Sequence, residues 1–335
     1  MIFPKWIEKG DLIGVTACSA GKTAPVDLIR LNNAAEQFKK RGYRVTETPD
    51  VRKDEKGRSA PAKVRAEEFH ALIENPEVSW IIQACGGDYL AEMLSYADFD
   101  AVKSNPKWIQ GYSDPTGLLF SVTTNCDIAT VYAGNYGDFG MGHWHRCLEE
   151  NVAVLEGGQT IQKSFPMYKN GFAERVTGYE DYQEDTPVKW ECEGENATLS
   201  GRLLGGCLDV LLDLVGTRFD KTVEWCERYK EDGILWYLES FALSSERLTC
   251  GLWHLKEVGW FRHASGFVFG RPTFFSSDNE IAYKEAVEAV LGELQLPIVY
   301  EADIGHKAPR MTMINGAMAQ IKVEDGKGEM VLEFR

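Results

Sequence analysis

The chain has 335 residues, 44% of them hydrophobic, and sets 36 basic against 51 acidic side chains for a net charge of −15. That length predicts about two domains, with enough core to need no disulfide or metal staple. The acidic balance repels phosphate backbones and anionic lipid, so it points away from a nucleic-acid or membrane-surface protein. The eight cysteines are scattered without a C-x-x-C pair, which predicts reduced thiols in a cytoplasm rather than a disulfide framework or zinc ribbon. The first apolar run, Leu12 to Ala17, is too short for a signal peptide or a membrane span.

In chain order, the first third alternates strand and helix patterns. Leu12 to Ala17 reads as a strand. A helix follows from Pro25, with Leu28, Leu31, Ala34, Ala35 and Phe38 at helical spacing and Arg41-Gly42 as its stop. Tyr43 to Thr48 is a second strand, and Ala62 to Asn75 a second helix. Trp80 to Cys85, Lys107 to Tyr112 and Asp127 to Tyr132 read as three more strands. Apolar strands separated by helices predict an α/β fold with a doubly wound parallel sheet covered on both faces. From about Gln162 to Glu195 the chain turns polar, acidic and aromatic, which predicts a boundary and a long functional loop. The expected domains are therefore 1–160 and 197–335, with 161–196 as boundary and active-site loop. Beyond it come a strand from Thr198 to Leu204, a turn at Gly205-Gly206, and a helix from Leu208 to Val215. Then follow a strongly apolar strand from Gly233 to Leu238, a helix from Ser245 to Val258 and a strand from Gly266 to Gly270. A helix from Ile281 to Leu294, a strand from Pro297 to Glu301 and a last strand from Ala317 to Val323 complete the pattern.

Three points place reactive groups where strands end, the place where open α/β sheets bind ligands. An apolar strand runs into Gly111-Tyr112-Ser113-Asp114-Pro115, and a helix begins at once. This is the arrangement of a nucleophile elbow, with Pro115 in place of the second glycine of G-x-S-x-G. Ser113 also fits a plain helix N-cap. Cys85-Gly86-Gly87-Asp88 follows the third strand; its backbone N–H groups suit an oxyanion hole or anion nest, and equally a tight strand-to-helix turn. Glu239 ends a strongly apolar strand, where a carboxylate needs a partner, and His306 follows another strand. Ser113, Glu239 and His306 occur in one of the chain orders that catalytic triads use, with Asp303 as the other candidate acid. Two further motifs fail. Ala20-Gly21-Lys22-Thr23 resembles a phosphate-binding loop, but Thr16 stands where that motif needs glycine. His143 and His145, with Cys147 nearby, could suggest a metal, but two histidines two apart lack a clear third ligand. No cofactor and no metal are expected.

Together these segments resemble the S66 serine peptidases, the family of L,D-carboxypeptidases and microcin-C immunity peptidases. The matching pieces are Gly111-Tyr112-Ser113-Asp114, Gly86-Gly87-Asp88, Leu204-Gly205-Gly206-Cys207-Leu208, Trp236-Tyr237-Leu238-Glu239 and Asp303-Ile304-Gly305-His306 with Asn315-Gly316-Ala317. The resemblance spans essentially the whole chain. It implies an N-terminal doubly wound domain plus a C-terminal mixed α/β domain, and a cytoplasmic homodimer. It implies Ser113 as nucleophile, His306 as general base and Glu239 as the group that orients it. Gly87 and Asp114 would supply the oxyanion hole, with Gly86 and Asp88 at the substrate. Cys207 departs from the asparagine that many relatives carry after the paired glycines. Two substrate classes follow from the resemblance: an aminoacyl-nucleotide conjugate, or a murein tetrapeptide that loses D-alanine. The 126-residue spacing from Ser113 to Glu239 looks like the immunity branch. Trp190, Tyr179 or Tyr182 would then stack on a nucleobase. A doubly wound ligand-binding protein without turnover is the alternative of another class.

Overall fold

The computed structural model describes residues 1–335, which divide into two compact units. The first comprises residues 1–160, 173–183 and 312–315; the second comprises residues 161–172, 184–311 and 316–335. No helix is long and apolar enough to cross a membrane.

The first unit is built on β1 (Leu12–Thr16), β2 (Arg44–Glu47), β3 (Val78–Gln83), β4 (Trp108–Gly111) and β5 (Thr130–Tyr132). These five pair in parallel, in the spatial order 2-1-3-4-5. Helices α1 (Pro25–Lys40), α2 (Ala62–Glu74), α3 (Leu90–Leu94), α4 (Phe99–Ser104), α5 (Thr116–Cys126) and α6 (Arg146–Leu155) follow or connect the strands. This is the predicted doubly wound sheet. Its strands bury nearly every residue of β3, β4 and β5, as continuous apolar runs do when both faces are covered. The order reverses between β1 and β3, so the loops leaving their carboxyl ends open the crevice where such sheets take ligands. A sixth strand, Met313–Asn315, joins β5 antiparallel from far along the chain.

The second unit holds an eight-stranded mixed sheet. Its strands are β6 (Ile161–Lys163), β9 (Glu191–Cys192), β10 (Asn196–Cys207), β11 (Ile234–Glu239), β12 (Ala264–Gly270), β13 (Ile298–Ala302), β15 (Met318–Glu324) and β16 (Lys327–Glu333). Here β7 (Met167–Tyr168) and β8 (Thr186–Pro187) form a separate pair, and β14 is the Met313–Asn315 strand of the first sheet. β10 to β13 run parallel in sequence order, and antiparallel strands close both sides. Helices α7 (Leu208–Leu214), α8 (Thr222–Arg228), α9 (Ser245–Glu257) and α10 (Tyr283–Leu291) accompany it.

Two expectations are corrected. Gly205-Gly206 is not a turn: both glycines lie inside β10, in register with Tyr237 and Leu238 of β11. A Cβ on Gly205 would fall 1.7 Å from the Tyr237 carbonyl oxygen, so the glycine is there for close approach of two strands. Ala317 to Val323 does not hold the last strand, because Asp325-Gly326 turns the chain into β16. The stretch from 162 to 195, expected as a boundary and long loop, also contains short strands. It supplies an edge strand at each side of the mixed sheet (β6 and β9) and the β7–β8 pair, while residues 173–183 belong to the first unit.

Candidate active site

In the first unit, β4 ends at Gly111 and α5 starts at Thr116. Between them Ser113 holds φ at +71°, the left-handed region that costs a non-glycine residue about 1–3 kcal/mol. The turn is fixed on several sides. The Ser113 N–H donates to the Tyr132 hydroxyl (3.2 Å), the Tyr112 N–H donates to Asn135 Oδ1 (3.2 Å), and the Thr116 N–H donates to the Ser113 carbonyl (2.9 Å). Pro115, not Ser113, occupies the cap position of α5, so the N-cap explanation of this serine is set aside. The strained turn matches the strand-to-helix elbow on which hydrolases expose a nucleophilic hydroxyl.

Gly86 and Gly87 face this turn. A Cβ on Gly86 would lie 3.0 Å from both Ser113 Cβ and Oγ, and 3.8 Å from the Asp114 nitrogen. Any side chain there would press on the hydroxyl. Gly87 has φ +152°, and a Cβ on it would strike Ser19 Oγ at 2.3 Å. Asp88 is exposed. The buried Asp114 carboxylate accepts the Leu90 N–H (2.9 Å) and the Ser19 hydroxyl proton on the same oxygen, Oδ2. Burial raises its carboxyl above the ordinary value, and the Ser19 and Leu90 donors offset part of that rise.

In the second unit, Glu239 is the last residue of β11 and is 0% exposed. Its Oε2 lies 2.9 Å from Nδ1 of His306, itself 6% exposed. A carboxylate only accepts, so Nδ1 is the donor in this bond and Nε2 is the ring nitrogen the bond does not use. Gly305 makes room for the pair. Its φ is +96°, and a Cβ on it would sit 2.7 Å from Glu239 Oε2. The Phe241 ring packs against the imidazole, with centroids 4.5 Å apart and a tilt of 39°. Phe241 is itself held by Asp209, whose carboxylate accepts the Phe241 and Ala242 N–H groups at 2.9 Å each. Cys207 pairs with Glu239 across β10 and β11. Burial first, and then the charges of Glu239 and Asp209, push its thiol well above the ordinary value, so it remains protonated and is no nucleophile.

Asp303 is engaged elsewhere. Its Oδ1 accepts Arg271 Nη2 (2.6 Å), while Oδ2 accepts Trp190 Nε1 (3.0 Å) and the Phe165 N–H (3.1 Å). The carboxylate on the histidine is therefore Glu239. The same bond overturns the expectation that Trp190 stacks on a substrate base. The ring is 2% exposed, tied to Asp303, and so close to Gly328 that a Cβ there would lie 2.4 Å from its Cδ2. Tyr182 is also buried, edge-on to His145; only Tyr179 of the three is exposed. Trp190→Ala should accordingly cost about 3–5 kcal/mol of stability, the usual range for deleting a buried aromatic. Turnover per folded molecule should fall equally on all substrates. A melting curve read beside kinetics on two substrate classes checks this, and loss of one class at unchanged stability would contradict it.

The remaining sequence candidates find structural roles. His145 caps α6, its Nδ1 accepting the Cys147 N–H at 3.2 Å, and burial holds its pKa below the ordinary histidine value. Gly21 packs against the backbone of residues 50–53, where a Cβ would meet the Lys53 carbonyl oxygen at 2.0 Å, and Lys22 pairs with Asp27 at 3.6 Å. Sequence reasoning missed Ser19, Asp209 and Phe241. Ser19 had one local signal, its place just past the carboxyl end of β1.

A strained serine after a parallel strand, and a histidine held by a buried carboxylate, are each the kind of feature that serine hydrolases use. Comparison with known proteins gives the class its family. Residues 13–133 match the LD-carboxypeptidase N-terminal domain and residues 200–321 the LD-carboxypeptidase C-terminal domain, so the chain belongs to the S66 family of serine peptidases. A putative carboxypeptidase of Vibrio cholerae is 25% identical over 336 residues, covering 97% of this chain and 96% of that one. The microcin C7 self-immunity protein MccF of Escherichia coli is 25% identical over 329 residues, covering 94% and 92%. The structure of MccF in complex with aspartyl sulfamoyl adenosine has a TM-score of 0.82 at 23% identity, covering 100% of this chain and 99% of that one.

Proposed function

We propose that Ser113, His306 and Glu239 act as a Ser-His-Glu triad that hydrolyses the terminal amide of a small peptide conjugate, of the aminoacyl-nucleotide kind. The observation that carries this reading is the buried 2.9 Å bond between Glu239 and His306 Nδ1, which leaves Nε2 as the base. In the first step Ser113 Oγ bonds to the acyl carbon while its proton passes to Nε2. The oxyanion that forms is received by the Gly87 and Asp114 N–H groups. The imidazolium, stabilised by Glu239, then protonates the leaving nitrogen as the C–N bond breaks. Water, deprotonated by His306, hydrolyses the acyl-enzyme and restores the serine.

Similarity to MccF, which is bound to aspartyl sulfamoyl adenosine in one of its structures, supports a nucleotide-linked leaving group. With Trp190 and Tyr182 buried, Tyr179 and Phe172 are the exposed aromatics of the 162–195 stretch that a base could stack on. The family's LD-carboxypeptidase name supports the second reading, release of D-alanine from a murein tetrapeptide. Purified protein assayed against aspartyl sulfamoyl adenosine and a murein tetrapeptide separates the two. The proposal expects kcat/KM to be higher for the nucleotide conjugate by at least about 10²-fold, a discrimination worth ~2.7 kcal/mol. Cleavage of the tetrapeptide alone would replace it with the murein reading.

A further inference from the structure

The oxyanion hole proposed above draws its two amides from separate loops. Gly87 lies on the loop after β3, and Asp114 on the turn after β4. Two backbone amides on separate loops hold a fixed spacing only if something ties the loops together. The structure contains such a tie. Ser19, fully buried after β1, gives its hydroxyl proton to Asp114 Oδ2. Leu90, at the start of α3 and three residues past Gly87, gives its N–H to the same oxygen at 2.9 Å. Ser19 Oγ also stands against Gly87 Cα, closely enough that a Cβ would meet it at 2.3 Å. The Ala20 N–H donates to the Gly86 carbonyl at 3.4 Å, and Cys85 Sγ reaches the Ala20 carbonyl at 3.0 Å. Three loops at the carboxyl ends of β1, β3 and β4 thus converge on one carboxylate oxygen.

We infer that Ser19 and the Asp114 side chain are positioning residues, a buckle that sets the spacing of the Gly87 and Asp114 amides and so preorganises the oxyanion hole. The inference rests on Ser113 being the nucleophile. The role is geometric and not electrostatic, because negative charge beside a developing oxyanion opposes it. Both donors end on a single oxygen, so an amide side chain, which offers one oxygen, can accept both. Burial favours the neutral side chain too, since it already raises the Asp114 carboxyl. Preorganised donors act because they need no rearrangement as charge develops, and a displacement near 1 Å costs about 10²-fold in rate.

The test is the second-order rate at which a small fluorophosphonate modifies Ser113, since its phosphoryl oxygen occupies the oxyanion position. It is read across pH in wild type, Ser19→Ala, Asp114→Ala and Asp114→Asn, each with a melting curve. The expected rates are about 10²-fold lower for Asp114→Ala and about tenfold lower for Ser19→Ala, the latter equivalent to one lost hydrogen bond. Asp114→Asn should recover at least about tenfold of the rate lost in Asp114→Ala, and the pH midpoint should be the same in all four. Asp114→Asn as slow as Asp114→Ala would overturn the buckle, because charge and not geometry would then matter. Wild-type rates in both alanine variants would overturn it as well, as would a wild-type rate in Ser19→Ala should Asp114→Ala fail to fold. A wild-type protein that takes no label at all would instead sink the assignment of Ser113, and this inference with it.

Discussion

Ser113→Ala should lower turnover by about 10⁴–10⁶-fold, the scale on which triad nucleophiles are lost. The backbone around residue 113 should barely notice. Its N–H still donates to Tyr132, its carbonyl still accepts from Thr116, and the cap of α5 is Pro115. Alanine at φ +71° carries the same backbone strain as serine, so the melting temperature should stay close to wild type. Substrate affinity should change little, because the hydroxyl contributes to the bond that forms and not to the binding of the ground state. Steady-state kinetics beside a melting curve checks all three statements. A variant with near-wild-type kcat would remove the nucleophile from the account.

The second large effect falls on Glu239. Glu239→Gln keeps the shape of the side chain inside its slot between Cys207 and Gly305 but removes the charge that stabilises the imidazolium. An amide can also donate to Nδ1 and hold the ring in the wrong tautomer. The comparable change in serine proteases lowers kcat by about 10⁴-fold, and a similar loss is expected here with a modest change in KM. Asp303→Asn is the contrast. It breaks the buried pair with Arg271, which should cost about 3–5 kcal/mol of stability. Turnover per folded molecule should remain within about tenfold, because Asp303 acts on catalysis only through the packing it supports. Crippled turnover in a stable Asp303→Asn, beside a nearly silent Glu239→Gln, would exchange the roles of the two acids.

The elements that sequence revealed are those whose pattern is local. β1 and β3 are mostly apolar runs, β4 starts from Trp108-Ile109, and α1 and α2 carry their buried residues at helical spacing. The elements it concealed are defined by distant partners. Met313–Asn315 is a strand because Thr130–Tyr132 is beside it, and β6 and β9 are too short to show any period. β16 is different, since its signal is local. Asp325-Gly326, both at positive φ, form the hairpin turn favoured by right-twisted strands, and Gly328, Met330 and Leu332 alternate inward behind it. At the site, Ser113, Glu239 and His306 could be picked out because each stands at a strand end. The choice between Glu239 and Asp303 could not be made there, because both follow apolar strands. It is made by Arg271, Trp190 and Phe165, which occupy Asp303 from well-separated parts of the chain. The expectation for Trp190 fails for a related reason. Its neighbours in sequence are polar and largely accessible, while the space for its ring is made by Gly328, far along the chain.

The central claim is that the Ser113 hydroxyl is the nucleophile and that His306, held by Glu239, activates it. Mass-spectrometric mapping of the wild-type protein after reaction with a fluorophosphonate tests it most directly. The account predicts one adduct per chain, on the peptide that carries Ser113, absent from Ser113→Ala and strongly slowed in Glu239→Gln. An adduct on another residue, or labelling of Ser113 at the same rate with and without the Glu239 carboxylate, would contradict it.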